Sequence, residues 1–116
     1  MTSPQLVLVL DSTDPAALAE FWASALHYRR RDAVEQYEVL LPQEGASGPT
    51  LLIQGVAEPK QGKNRMHLDL HVPDVATEVE RLVALGATRR GEGAIGAITW
   101  VRMSDPENNE FDLAPA

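Results

Sequence analysis

The chain of 116 residues contains no cysteine, which excludes a disulfide framework and any site built on thiolate ligands. Long hydrophobic runs are missing as well. The longest, such as residues 6–10, fall far short of the ~20 apolar residues that a membrane-spanning helix needs. The start, Met1-Thr2-Ser3-Pro4-Gln5, has no basic stretch ahead of a signal-type core. Basic charge is scarce: 10 Lys and Arg stand against 17 Asp and Glu, a formal net charge of −7 with histidine neutral. Phosphate backbones are bound by clustered cations that release counterions, so nucleic acid is not an expected partner. No membrane partner is expected either, and the cytoplasm is the expected compartment. No serine stands in a Gly-x-Ser-x-Gly elbow, so serine hydrolase chemistry has no support.

What is present reads as one folded domain over 1–116, with 44% hydrophobic residues. Pro, Gly and charge cluster at 57–64, Ala57-Glu58-Pro59-Lys60-Gln61-Gly62-Lys63-Asn64, between two apolar strands, and mark a linker. On either side the same pattern is written twice. The run at 6–10 has strand length and is followed by Ser12-Thr13-Asp14-Pro15, where Thr13 or Asp14 suits a helix cap and Pro15 its first turn. Ala17, Leu18, Phe21, Trp22, Ala25 and Leu26 then recur at helical spacing. After the linker, residues 66–72 alternate as a strand, Pro73-Asp74 punctuates it, and Val75, Val79, Leu82 and Val83 mark an amphipathic helix ended by Gly86.

Each helix is followed by short strand patterns, at 28–31, 37–41 and 50–53 and again at 88–90, 98–103 and 110–113. Turns are expected at Asp32-Ala33, at 44–49 and at 105–109, and the glycine-rich stretch 91–96 reads as a mobile loop or lid. Aligning Asp14 with Asp74 brings Leu8 onto Leu68 and Leu10 onto Leu70, an internal repeat of about 50 residues. The expected fold is α+β: two tandem βαβββ modules, at 5–56 and 65–114, forming a curved mixed-sheet cup with helices on its outer face.

Strand alternation separates the faces, because the side-chain period is two. Met66, Leu68, Leu70 and Val72 share one face, and His67, Asp69 and His71 the other. Val101 and Met103 point inward and Trp100 and Arg102 outward; Phe111 and Leu113 go to the core and Glu110 and Asp112 to the polar side. With Gln54 these residues form a candidate ligand site: Gln54, Asp69, His71, Trp100, Arg102 and Glu110 for binding, His67 and Asp112 for catalysis. An imidazole with carboxylates suits a borderline divalent metal. It equally suits metal-free general base chemistry at His67, with Arg102 holding an anionic group. A solvated polar face is the bland alternative, and Trp100 is more often a packing residue than a ligand platform.

The doubled βαβββ order, the Asp14-Pro15…Phe21-Trp22…Leu26 module, Asn64-Arg65-Met66-His67-Leu68-Asp69-Leu70 and Asp105-Pro106-Glu107-Asn108-Asn109-Glu110-Phe111 together resemble the vicinal oxygen chelate superfamily. More narrowly, the chain is similar to bacterial glyoxalase-like domain proteins. The resemblance implies a small-molecule-binding protein and, where catalytic, a lyase, isomerase or dioxygenase. It also implies a divalent metal such as Zn, Ni, Mn or Fe, with ligand positions at Val7, about Gln54, His67 and Asp112. Of these His67 and Asp112 match by type, Gln54 is a poor ligand and Val7 has no donor atom, so the implied ligand set is incomplete, and Asp69 or His71 is the substitute the chain offers, in a departure from the family's geometry. A homodimer is implied by relatives that pair modules across subunits, and sequestration of a cationic drug without a metal is a third functional expectation.

Overall fold

The computed structural model describes residues 5–116; Met1-Thr2-Ser3-Pro4, on which part of the N-terminal reading rests, lie outside the described residues. Two compact units result, Met1–Pro59 and Lys60–Ala116. Each runs strand, helix and three strands. In the first these are β1 (Val7–Ser12), α1 (Pro15–Leu26), β2 (Arg29–Val34), β3 (Tyr37–Leu41) and β4 (Thr50–Gly55). In the second they are β5 (Leu68–Val72), α2 (Val75–Leu85), β6 (Thr88–Ile95), β7 (Ile98–Ser104) and β8 (Glu110–Pro115). Each unit forms its own four-stranded mixed sheet, ordered β1-β4-β3-β2 and β5-β8-β7-β6. The first strand of each is parallel to the last and the other pairs are antiparallel. No described helix is long and apolar enough to cross a membrane.

Asp14 caps α1 by accepting from the Ala17 amide at 3.4 Å, with Pro15 in the first turn. Asp74 does the same for α2 from Thr77 at 3.1 Å. The helices end alike, on a residue in the left-handed region. In α1 this is His27 (φ 56) and in α2 it is Gly86 (φ 119), one residue earlier relative to the cap. Leu18, Phe21 and Trp22 of α1 are buried, and the Phe21 and Trp22 rings meet edge to face at 5.2 Å. With Leu40, Leu51 and Ile53, also buried, they make the first core. At ~1.5–3 kcal/mol for each large side chain withdrawn from water, this cluster dominates that unit's stability.

The second unit has a thinner core, of Leu82, Ala87, Met103, Phe111 and Leu113, while Val83 and Leu85 of α2 stay exposed. The turn before β8 is built from Asp105. Its Oδ1 accepts from the amides of Glu107 and Asn109 at 2.8 and 2.9 Å, and both carboxylate oxygens accept from Asn109 Nδ2. A buried carboxylate is tolerated when its lone pairs are filled in this way. Arg90 ties the turn to the sheet, donating to Ser104 Oγ and Asn108 Oδ1.

Three local expectations are corrected. Asp32-Ala33 is no turn but part of β2, at a bulge between Arg31 and Val34, and the reversal follows at Glu35 (φ 54). The stretch 91–96 is no lid: Gly91 to Ile95 pair in register with β7, and only Gly96-Ala97 turns, closed by Ile95 opposite Ile98. Gly96 at φ 60 supplies the positive φ that a two-residue hairpin needs at its first turn position. Met66 does not join the apolar face of β5, which begins at Leu68, and it is 69% exposed.

Candidate ligand and metal site

The register of the second sheet brings the polar residues together. Parallel pairing sets Asp69 of β5 opposite Asp112 of β8 and His71 opposite Ala114. Antiparallel pairing sets Arg102 of β7 opposite Asp112 from the other side. Residues in register share a face, so Asp69, Asp112 and Arg102 form a row across three strands, and His67 sits just ahead of β5 at the end of that row. His67 Nδ1 lies 3.0 Å from Asp69 Oδ1 and 3.8 Å from Asp112 Oδ2, and Arg102 Nε lies 3.7 Å from Asp112 Oδ1. Asp112 is the sheltered member, with its side chain 11% exposed against 40% or more for His67, Asp69 and Arg102.

The row floors the polar end of a cleft of about 650 Å³, and Ala97, Ile98, Thr99, Trp100, Ala114 and Pro115 wall the rest. His67, Asp69, His71, Trp100, Arg102 and Asp112 therefore converge as the alternation predicts. Two other candidates are not among the lining residues. Gln54 belongs to the first unit, in register with Asp11 and Tyr37. Glu110 braces the chain instead. Its Oε1 takes the Lys60 ammonium at 3.1 Å and its Oε2 accepts from the Asn64 amide at 2.9 Å, which pins the segment leading to His67. Burial pushes the Glu110 carboxyl up, but the Asn64 amide and Lys60 outweigh it and hold the carboxyl below its ordinary value. Sequence reading overlooked the apolar wall. Ala114 and Pro115 lie beyond the expected end of the last strand, while Ile98 shares the Trp100 face by simple alternation.

His67, Asp69 and Asp112 each offer a donor atom, all within 4.8 Å of one another. Two ligands ~2.1 Å from one cation stand at most about 4.2 Å apart, and the His67–Asp69 and His67–Asp112 separations of 3.0 and 3.8 Å fall within that span. One imidazole and two carboxylates form a borderline-to-hard donor set, suited to Mn, Fe or Zn rather than to a soft metal.

The whole-chain fold recurs in solved structures. FosX, the genomically encoded fosfomycin resistance protein from Listeria monocytogenes, complexed with Mn(II) and sulfate, aligns with a TM-score of 0.80 at 18% identity, covering 100% of this chain and 92% of that one. A glyoxalase/bleomycin resistance protein/dioxygenase family enzyme from Burkholderia phytofirmans aligns at 0.77 and 15% identity, over 94% and 95% of the two chains. A glyoxalase-related enzyme from Fulvimarina pelagi gives 0.74 and 19%, over 100% and 89%. No curated protein matches the sequence. Residues 7–114 match the model of the glyoxalase-like domain, and the chain belongs to that family.

Proposed function

We propose that the cleft of the second unit binds a small organic molecule beside a divalent cation held by His67, Asp112 and Asp69. The observation that carries this reading is the meeting of one imidazole and two carboxylates from adjacent strands within 4.8 Å, at the polar end of a largely apolar cleft. Two FosX structures of the same fold hold Mn(II), one of them with dihydroxypropylphosphonic acid, which makes Mn(II) the first cation to try. When bound, such a cation supplies Lewis acidity toward an oxygen of the ligand. The protein's own groups do the rest: Arg102 offers its N–H fork to an anionic substituent, and Trp100 and Ile98 keep water from the apolar portion.

The 3.0 Å contact between His67 Nδ1 and Asp69 supports a second, metal-free reading. With Nδ1–H donating to Asp69, Nε2 is left as a proton acceptor, oriented for general base work. Nδ1 cannot both donate to Asp69 and bind a cation, and Nε2 cannot both bind a cation and take a proton, so one measurement separates the two. Protein purified without chelator is analysed for metal, then stripped and titrated with Mn(II), Fe(II), Ni(II) and Zn(II) while thermal unfolding is followed. A stoichiometric ion and a midpoint that rises with concentration are expected. A stripped protein indifferent to all four sinks the metal reading and leaves the imidazole dyad.

A further inference from the structure

Trp100 is seated in a way that points to the chemical class of the ligand, given the reading that the cleft is the ligand site. Its cross-strand partner on β6 is Gly93, and a β carbon on Gly93 would lie 2.5 Å from two ring carbons of Trp100 and 2.8 Å from its Nε1. The indole therefore lies directly on the Gly93 backbone, in space that no other residue type leaves open. Behind it is main chain, and before it is the cleft, where Ile98, Ala114 and Pro115 extend the apolar wall. Two residues along β7, on the same face and about 7 Å away by strand spacing, Arg102 reaches the same cleft. Its Nε is 3.7 Å from Asp112, beyond hydrogen-bond range, so the five N–H donors of its fork outnumber what Asp112 takes up. The two carboxylates have less to offer a ligand: Asp69 is bonded to His67, and Asp112 lies between His67 and Arg102.

We infer that the cleft takes a planar aromatic acid, its ring stacked on the Trp100 indole and its acidic group on the Arg102 guanidinium. A flat ring gains the offset or edge-on contacts that an indole offers only to another π-system, and a planar carboxylate matches the guanidinium fork.

Isothermal titration of the whole chain, with and without Mn(II), tests this with three probes: 2-naphthoate, cyclohexanecarboxylate and 2-naphthylmethylamine. The expected result is that 2-naphthoate binds at least tenfold more tightly than either of the others. Trp100→Leu and Arg102→Met should each weaken it by about tenfold, with far-ultraviolet circular dichroism unchanged. Gly93→Ala, which leaves both binding groups in the chain but unseats the indole, should weaken it as Trp100→Leu does. Equal binding of cyclohexanecarboxylate overturns the stacking platform, and equal or tighter binding of the amine overturns the acid assignment; both leave the cleft as a ligand site. Binding of 2-naphthoate that ignores all three substitutions overturns the inference and the cleft reading together. Mn(II) binding that depends on His67, with none of the probes bound, overturns the aromatic acid while the metal site stands.

Discussion

Gly93 and Trp100 face each other across the β6–β7 hairpin, and the absence of a side chain at the first lets the indole of the second lie on the backbone. Replacing Gly93 by Ala puts a methyl group 2.5 Å from the ring, a distance that forces the indole to swing out. Crowding of this kind costs about 1–3 kcal/mol, and the reduced freedom of the unfolded chain offsets roughly 0.4–1 kcal/mol of it. The expected outcome is a modest fall in the unfolding midpoint with a clear red shift of Trp100 emission. Trp22, which is 1% exposed, supplies an unchanging reference. An unaltered emission spectrum would show that the indole does not depend on Gly93.

His67, Asp69 and Asp112 differ in burial, and their substitutions should differ in consequence. Asp112 is the sheltered carboxylate and sits between His67 and Arg102, so Asp112→Ala removes a proposed cation ligand and also releases Arg102. His67→Ala removes the only nitrogen donor of the set. At a Mn(II) concentration 100 times the dissociation constant, binding stabilises the fold by about 2.7 kcal/mol. Both variants are expected to lose that increment, while Asp69→Asn, which keeps an oxygen donor at an exposed position, retains part of it. Differential scanning calorimetry with and without Mn(II) reads all three, and equal increments in every variant would place the ion elsewhere.

Much of this architecture is legible in the sequence because period-two alternation is a direct consequence of strand geometry. Trp100 and Arg102 against Val101 and Met103, and Asp112 against Phe111 and Leu113, resolve to opposite faces as read. Asp14 and Asp74 mark both helix starts. The errors arise where a long-range partner overrides local pattern. Glu110 shares the Asp112 face by alternation, yet a lysine and an amide about 50 residues earlier capture it. The glycines at 91–96 look like a mobile loop by composition, but Gly91 and Gly93 pair with β7, and the Trp100 ring fills the space above Gly93. A signal for this hairpin was present in Ile95-Gly96-Ala97-Ile98, a two-residue turn closed by matching apolar residues. Of the two substitutes for the ligands missing at Val7 and Gln54, Asp69 is the one that stands with His67 and Asp112 in a group of three donors within the second unit.

Asp105 holds the turn before β8 and, through it, the register that sets Asp112 opposite Asp69. Its side chain is buried and accepts from two backbone amides and from Asn109. Asp105→Ala takes the acceptor from the buried Asn109 amide and side chain, at a cost of roughly 3 kcal/mol or more. Asp105→Asn restores size but presents an N–H₂ where acceptors are needed, and should recover only part of the loss. Urea unfolding of the three proteins checks the order; an alanine variant within about 0.5 kcal/mol of the parent chain would mean that the turn forms without its carboxylate.

The cap of α2 carries a pH dependence whose sign follows from Asp74. Hydrogen bonds from Thr77, backbone first and side chain second, hold the Asp74 carboxyl below its ordinary value. A carboxyl with a lowered native pKa binds fewer protons folded than unfolded. Its contribution is therefore fully present above the unfolded value of about 3.9, and it is lost as pH falls through the lower native one. Asp74→Asn keeps an oxygen to cap the Thr77 amide but does not titrate. The variant should therefore be less stable than the parent chain at neutral pH and converge with it toward pH 2. Unfolding midpoints measured at intervals from pH 7 to pH 2 give the comparison. Two curves that run parallel down to the acid end would show that the cap acts without its charge.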